Sequence, residues 1–437
     1  MKPRVTPFKK TVFSNGLTLL SERQPGFRSI SVGVWVKVGT RHEAPREAGI
    51  SHFLEHMLFK GTPTRSALDI ARQVDQVGGD FNAFTSRENT CFHILMLDRD
   101  LKLAMDILND VLLNSNFDAE EYDREKRVIL QEIAMVDESP EELAHDLFLE
   151  MAYGTHPLGR PILGTETSVK RMRRADLIRF FRRYYRPENI VVSVSGNVKH
   201  SELEKLLKPL TKRDWPGRPH PARAMTAKKA PPIREGFVWI ERPTEQVHLI
   251  WGIPGTEYAS DDRFAALLLN IYLGGGMSSA LFQEIREKQG LAYTIYSFLS
   301  PFVDTGLFTV YVATQMQHVL VCLKLIEESA EKLRSELMSK EELQTLKDNL
   351  KGSILLASDD VESRMSSIAK NEIFLGKYNS PDEVCRLIDR VTPHDLRRVA
   401  RKLLVSDQRS LLAVGPKPSK KIVTKLQPVL RRLNYRT

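Results

Sequence analysis

Two hydrophobic periodicities alternate along this chain. Short stretches such as SISVGVWVKVG (29–39), NIVVSVSG (189–196), QVHLIWGI (246–253) and LFTVYVAT (307–314) carry apolar residues at every second position or in continuous runs. Such patterns predict strands with one or both faces buried. Longer segments between them show the helical spacing. Ile50, Phe53, Leu54, Met57 and Leu58 fall at i, i+3, i+4, i+7 and i+8, an amphipathic helix. In Phe117 to Val136, the residues Tyr122, Glu125, Ile129, Glu132, Ile133 and Val136 share one helical stripe, after a capping-box-like start at Asp118 and Glu121. Strands mixed with long helices predict an α+β sandwich with antiparallel sheet.

The patterns repeat. Asp176 and Asp395 each open a basic helix that leads to a strand, and they stand 219 apart, as do Gly196 and Gly415. The helix starts Asp118-x-x-Glu121 and Ser339-x-x-Glu342 are offset by 221. Several correspondences at nearly one offset predict a duplication. Between the halves, residues 211–236 are rich in proline and basic residues and lack periodicity, as a linker does. The expected organisation is an N-terminal domain over 1–215, a linker over 216–235 and a C-terminal domain over 236–437.

On the helix of 50–58 the apolar stripe leaves His52, Glu55 and His56 on another face. Residues four apart on a helix lie side by side, and two imidazoles with a carboxylate so placed can hold zinc and activate water. The order H-x-x-E-H is the inverse of the H-E-x-x-H zinc motif. A third ligand is needed, and Glu125 and Glu132 interrupt an otherwise apolar stripe two turns apart. Carboxylates are rarely buried unless paired or coordinating, so a metal would explain at least one of them. Shifted by 219, His52, Glu55, His56 and Glu132 fall on Ile271, Gly274, Gly275 and Lys351, so the second half cannot rebuild the site.

These residues resemble the M16 metallopeptidases, whose motif is H-x-x-E-H with a ligand glutamate 76 residues after the second histidine; from His56 that spacing lands on Glu132. The resemblance runs through GISHFLEHMLFKGT (49–62), VGGDFNAFTSRENT (77–90), VILQEIAMVDESPEE (128–142), HPLGRPILGT (156–165) and LGGGMSSALFQEIREKQGLAY (273–293). It implies two homologous α+β domains of the LuxS/MPP-like metallohydrolase fold, facing each other. It also implies one zinc ion per chain on His52, His56 and Glu132, with Glu55 as general base and Glu125 supporting a ligand histidine. By the same resemblance, the strand holding Asn82, Ala83 and Phe84 receives an extended peptide, and Arg286 and Tyr293 contact substrate. Gly274-Gly275-Gly276 is shorter than the glycine-rich loop of the family's noncatalytic mitochondrial subunit. The implied activity is that of a zinc endopeptidase on unfolded peptides or short protein segments, working as a homodimer. The alternative is a noncatalytic scaffold or partner subunit of the same fold.

Composition narrows the setting. The 437 residues carry a net charge of +9, with much of the excess between Lys170 and Arg234. The segment 173–183 reads as an amphipathic helix with an arginine-rich outer face. No nucleic-acid motif or phosphate loop accompanies it, so the charge reads as a solvated face, and no specific nucleic acid is expected. No apolar run is long enough for a membrane span. The basic start lacks the apolar core of a secretory signal. Three cysteines without ligand-like spacing fit a reducing compartment. The expected location is cytoplasmic, or the mitochondrial matrix in a eukaryote.

Overall fold

The computed structural model of the chain describes residues 8–213, 229–404 and 409–418, with 422 and 424. The first seven residues and most of the expected linker lie outside the described residues. Strands β1 (Phe8–Val12), β2 (Thr18–Arg23), β3 (Ser29–Val36), β4 (Asp80–Thr85), β5 (Thr90–Leu97) and β6 (Ile190–Gly196) form one sheet, in the order β1-β2-β6-β3-β5-β4. Strands β7 (Gly236–Glu241), β8 (Val247–Pro254), β9 (Ala292–Pro301), β10 (Gly306–Thr314) and β11 (Ser410–Gly415) form a second, in the order β7-β11-β8-β10-β9.

Apart from the extra β1, the two sheets share one topology, and the periodic repeat in the chain is a repeat of fold. In each, the last strand inserts between two earlier ones. The sheets are antiparallel except at that insertion, where β2 pairs β6 and β7 pairs β11 in parallel. A parallel neighbour needs a long crossover, and the helical excursions before β6 and β11 supply it. The repeat extends to single hydrogen bonds. Asp176 accepts the N–H of Arg173 at 3.1 Å, and Asp395 accepts that of Thr392 at 3.0 Å. Asp118 and Ser339 each accept the N–H three residues on, at 3.1 Å.

The helices used below are α1 (Ile50–Leu58), α2 (Leu101–Asn114), α3 (Ala119–Glu138), α4 (Pro140–Tyr153) and α5 (Val361–Lys370). The molecule divides into two compact units that do not follow chain order. One holds the described residues within Met1–Ala134, Arg160–Lys229 and Leu355–Asn379, and the other those within Met135–Gly159, Ala230–Ile354 and Ser380–Thr437. Each half of the chain thus lends a helix to the other unit. Helix α4 buries Leu143, Ala144 and Phe148 against Ile250, Tyr311 and Leu412 of the second sheet. Helix α5 buries Met365, Ile368 and Ala369 against Leu20, Trp35 and Val191 of the first.

The close approach is made at equivalent glycines 219 apart. A Cβ on Gly33 would lie 2.2 Å from the Met365 sulfur, and one on Gly252 would lie 2.2 Å from the Phe148 ring. Within the first unit, Arg364 of α5 holds the buried carboxylate of Glu22, with Nε 2.9 Å from Oε1, and the Tyr378 hydroxyl donates to the same carboxylate at 3.1 Å. The opposite face of the first sheet carries the larger core, where Val32, Val34, Phe92 and Ile94 meet α1 and α2. That packing positions the candidate site.

Candidate metal centre

Helix α1 begins at Gly49, whose φ of 91° is left-handed. The Cβ of any other residue there would sit 2.5 Å from the carbonyl oxygen of Leu163, and one on Gly164 (φ 77°) would sit 2.5 Å from that of Ala48. The two glycines let the loop of HPLGRPILGT lie directly on the start of the helix. The unsatisfied N–H groups of the first turn are met by Glu43, which accepts those of Gly49 and Ser51 at 2.9 Å each. Burial pushes the Glu43 carboxyl up to about 7, against the pull of those hydrogen bonds. Ile50, Phe53, Leu54, Met57 and Leu58 are fully buried, each such burial contributing about 1.5–3 kcal/mol. His52, Glu55 and His56 remain partly exposed, as the periodicity predicts.

Helix α3 brings Glu132 to the two histidines. Its Oε2 is 3.8 Å from Nε2 of His52 and 3.6 Å from Nε2 of His56. Ligand atoms of all three residues lie within 4.8 Å of one another. A tetrahedral zinc ion with ligands about 2.0–2.1 Å away separates them by about 3.3 Å, so small side-chain adjustments suffice. Glu132 Oε2 is buried without a hydrogen-bond partner among the described residues, an unfavourable state for a carboxylate oxygen that a cation relieves. Burial, then the neighbouring His56, lowers the pKa of His52 to about 3, which keeps its ring neutral as a ligand must be. The donor set and its geometry fit a divalent metal of the zinc type.

Glu125, one step further in, does not point at this gap. Its side chain is only 5% exposed, and its Oε2 meets Nδ1 of His56 at 2.9 Å while its Oε1 meets Lys60 Nζ at 2.7 Å. Burial would raise its pKa, but the hydrogen bonds from His56 and Lys60 outweigh it and hold the carboxyl below its usual range. His56 responds in the opposite sense. Burial disfavours its cation, yet the Glu125 hydrogen bond and the nearby carboxylates raise its pKa. The two acids that share one stripe in the sequence therefore sit in two environments. Nδ1 of His52 is buried with no such partner among the described residues.

Glu55 lies on the same helix, its pKa raised by burial and restrained by a hydrogen bond from the Thr85 hydroxyl. Thr85 ends β4, the strand that also carries Asn82, Ala83 and Phe84 and forms one edge of the first sheet. The Ala83 N–H is taken by the Asn82 side-chain oxygen at 2.8 Å.

Arg286 and Tyr293 belong to the second unit. Arg286 lies in a π-helical segment, Phe282–Lys288, closed by Gly290 with φ 61°. Its guanidinium carbon is 4.7 Å from the ring centres of both Phe282 and Tyr293, and Tyr293 is 76% exposed at the start of the edge strand β9. Lys351, the counterpart of Glu132, pairs with Asp389 at 2.8 Å.

Lys60, Thr85 and Glu43 are the contributors that sequence reasoning passed over. Lys60 had a readable signal, standing four residues after His56. Thr85 had none, because its partner Glu55 lies thirty residues away on another element; Glu43 lies close to Gly49 and Ser51 in the chain, but no periodicity marks it as their acceptor.

The model of the insulinase family, peptidase family M16, matches residues 18–166, and that of the peptidase M16 inactive domain matches 171–350. The chain belongs to peptidase family M16. It is 37% identical to the uncharacterized zinc protease YmxG of Bacillus subtilis, over 93% of this chain and 98% of that one. It is 39% identical to an uncharacterized zinc protease of Streptomyces coelicolor, over 93% and 89%. Two crystal structures share the fold. A peptidase M16 inactive domain from Pseudomonas fluorescens has a TM-score of 0.87 at 21% identity, over 94% of this chain and 99% of that one. A protease from Helicobacter pylori has a TM-score of 0.86 at 23% identity, over 94% and 100%. Among the described residues no helix is long and apolar enough to cross a membrane.

Proposed function

We propose that this chain is a zinc-dependent endopeptidase acting on unfolded peptides or short protein segments. The observation that carries the reading is the meeting of His52, His56 and Glu132 at ligand distance beside the half-buried carboxylate of Glu55. In this reading the three residues hold one zinc ion per chain. When bound, the ion supplies a Lewis acid that polarises the scissile carbonyl and makes water more acidic. Glu55 takes the proton from the attacking water and delivers it to the leaving nitrogen. Glu125 fixes His56 with Nε2 toward the metal.

The edge of β4 offers main-chain groups to an extended peptide, which gives binding tolerant of sequence; Asn82, Ala83 and Phe84 are its contact residues. Arg286 and Tyr293 bring hydrogen-bond donors for peptide carbonyls, and the exposure of Tyr293 supports that role. The proposal keeps the metal site in the domain of residues 1–215, none in that of 236–437, and two copies of the chain in the working particle. Sedimentation measures the last point.

The test is cleavage of a quenched, unstructured basic peptide by wild type and by Glu55→Gln, both loaded with zinc. The expected result is a loss of about a hundredfold or more. Two silent zinc-loaded proteins favour a noncatalytic scaffold, and equal cleavage removes Glu55 from its role.

A further inference from the structure

We propose that Lys60 is a positioning residue of the metal centre, holding the Glu125 carboxylate so that its other oxygen meets Nδ1 of His56, and completing the charge balance of the loaded site. The inference rests on the reading of His52, His56 and Glu132 as zinc ligands.

Lys60 stands just past the end of α1, its N–H bonded to the Met57 carbonyl at 3.2 Å. The turn continues the helix far enough that residues 56 and 60 present their side chains to one side. Glu125 arrives from α3 and spans the pair, Oε2 to His56 at 2.9 Å and Oε1 to Lys60 at 2.7 Å. A carboxylate this buried requires its lone pairs to be engaged, and the two partners divide its oxygens between them. The consequence falls on His56. A carboxylate anchored at one oxygen cannot rotate away, so the Nδ1–H stays bonded and the lone pair on Nε2 stays directed toward Glu132.

Charge supports the same assignment. Glu55, Glu125 and Glu132 bring three negative charges to one half-buried pocket, and a divalent ion balances two. Among the described residues Lys60 is the lysine or arginine that contacts this group at salt-bridge distance, and with it the loaded site is neutral. An ordinary surface ion pair would leave its partner solvated, whereas here only the lysine retains some exposure, 27% against 5%.

The test is zinc affinity, by competition with a chromophoric chelator, for wild type, Lys60→Met, Lys60→Arg, Glu125→Gln and the double variant Lys60→Met with Glu125→Gln. Lys60→Met is expected to bind zinc about 10–100-fold more weakly, the usual effect of losing a residue that supports a metal ligand. Lys60→Arg, which keeps the cation, recovers most of it, and Lys60→Met adds no further loss once Glu125 is Gln. Circular dichroism of the metal-free proteins establishes that each is folded, and Lys60→Gln replaces Lys60→Met if that one is not. Wild-type affinity in the neutral variant, or an equal loss in both backgrounds, overturns the role of Lys60 alone. A wild type that takes up no zinc, or a His52→Ala variant that binds as tightly, overturns the ligand assignment and this inference with it.

Discussion

Thr85 donates its hydroxyl hydrogen to Oε2 of Glu55, joining the edge strand β4 to the motif helix α1. The strand proposed to receive substrate thus also orients the proposed base. Removing the hydroxyl releases the carboxylate without touching a ligand. Thr85→Val is expected to lower kcat by about tenfold, the worth of one such hydrogen bond, with KM nearly unchanged, while Thr85→Ser retains activity. Steady-state kinetics on the quenched peptide decide it, and a loss confined to KM counts against the positioning role.

Metal binding is expected to stabilise the first unit, because the ligands come from α1 and α3, far apart in sequence. With free zinc at about a hundred times Kd the gain is about 2.7 kcal/mol, provided that the unfolded chain binds none. Urea unfolding with and without zinc reads it directly. His52→Ala and Glu132→Ala should show little or no gain, and chelation should abolish cleavage until zinc is restored.

Gly49→Ala and Gly164→Ala test the contact at the start of α1. Each added Cβ meets a backbone carbonyl oxygen at 2.5 Å and each residue has positive φ, so strain and overlap act together. A loss of about 1–3 kcal/mol is expected for either variant, with weakened zinc binding as the helix shifts. Thermal unfolding as stable as wild type would show that the loop tolerates the side chain.

Acid sensitivity has an identifiable contributor in His42. Its ring is buried, which lowers its pKa from 6.5 to about 4, and its Nδ1 accepts the Gly39 N–H at 3.2 Å. A folded-state pKa below the unfolded value gives stability that is fully present above pH 6.5 and lost as pH falls through 4, because the unfolded state binds the proton first. Urea midpoints of the metal-free protein should therefore fall more steeply from pH 6.5 to 4 in wild type than in His42→Asn. Parallel curves would assign the acid loss to other groups.

The pair Arg364 and Glu22 anchors the helix that the second half of the chain lends to the first unit. Both side chains are at most 5% exposed. Arg364→Met leaves the buried Glu22 charge without its cation, with only the Tyr378 hydroxyl donating to it, an expected loss of about 3–5 kcal/mol. Adding Glu22→Gln should recover part of it. Additive losses in the double-mutant cycle would mean that the pair is not coupled.

Much of this was legible in the chain. The burial of Ile50, Phe53, Leu54, Met57 and Leu58, leaving His52, Glu55 and His56 on another, partly exposed face, follows from helix geometry, because side-chain direction at 3.6 residues per turn is a local property. The strand patterns are local in the same sense, the repeat is read by matching them at an offset of 219, and the resemblance to the M16 motif pointed to Glu132. Tertiary structure decided what depends on which surfaces meet. It separated Glu132, open to the histidine Nε2 atoms, from Glu125, turned to Nδ1, although both occupy one helical stripe. It brought Thr85 to Glu55 and Lys60 to Glu125, placed β4 at a sheet edge, and made the parallel pairs beside β6 and β11. It also sent α4 and α5 to the sheets of opposite halves, where Gly33 and Gly252 leave room for them. An apolar helix face records that it must be covered, but not by what; connectivity and the shape of the opposing surface supply the partner.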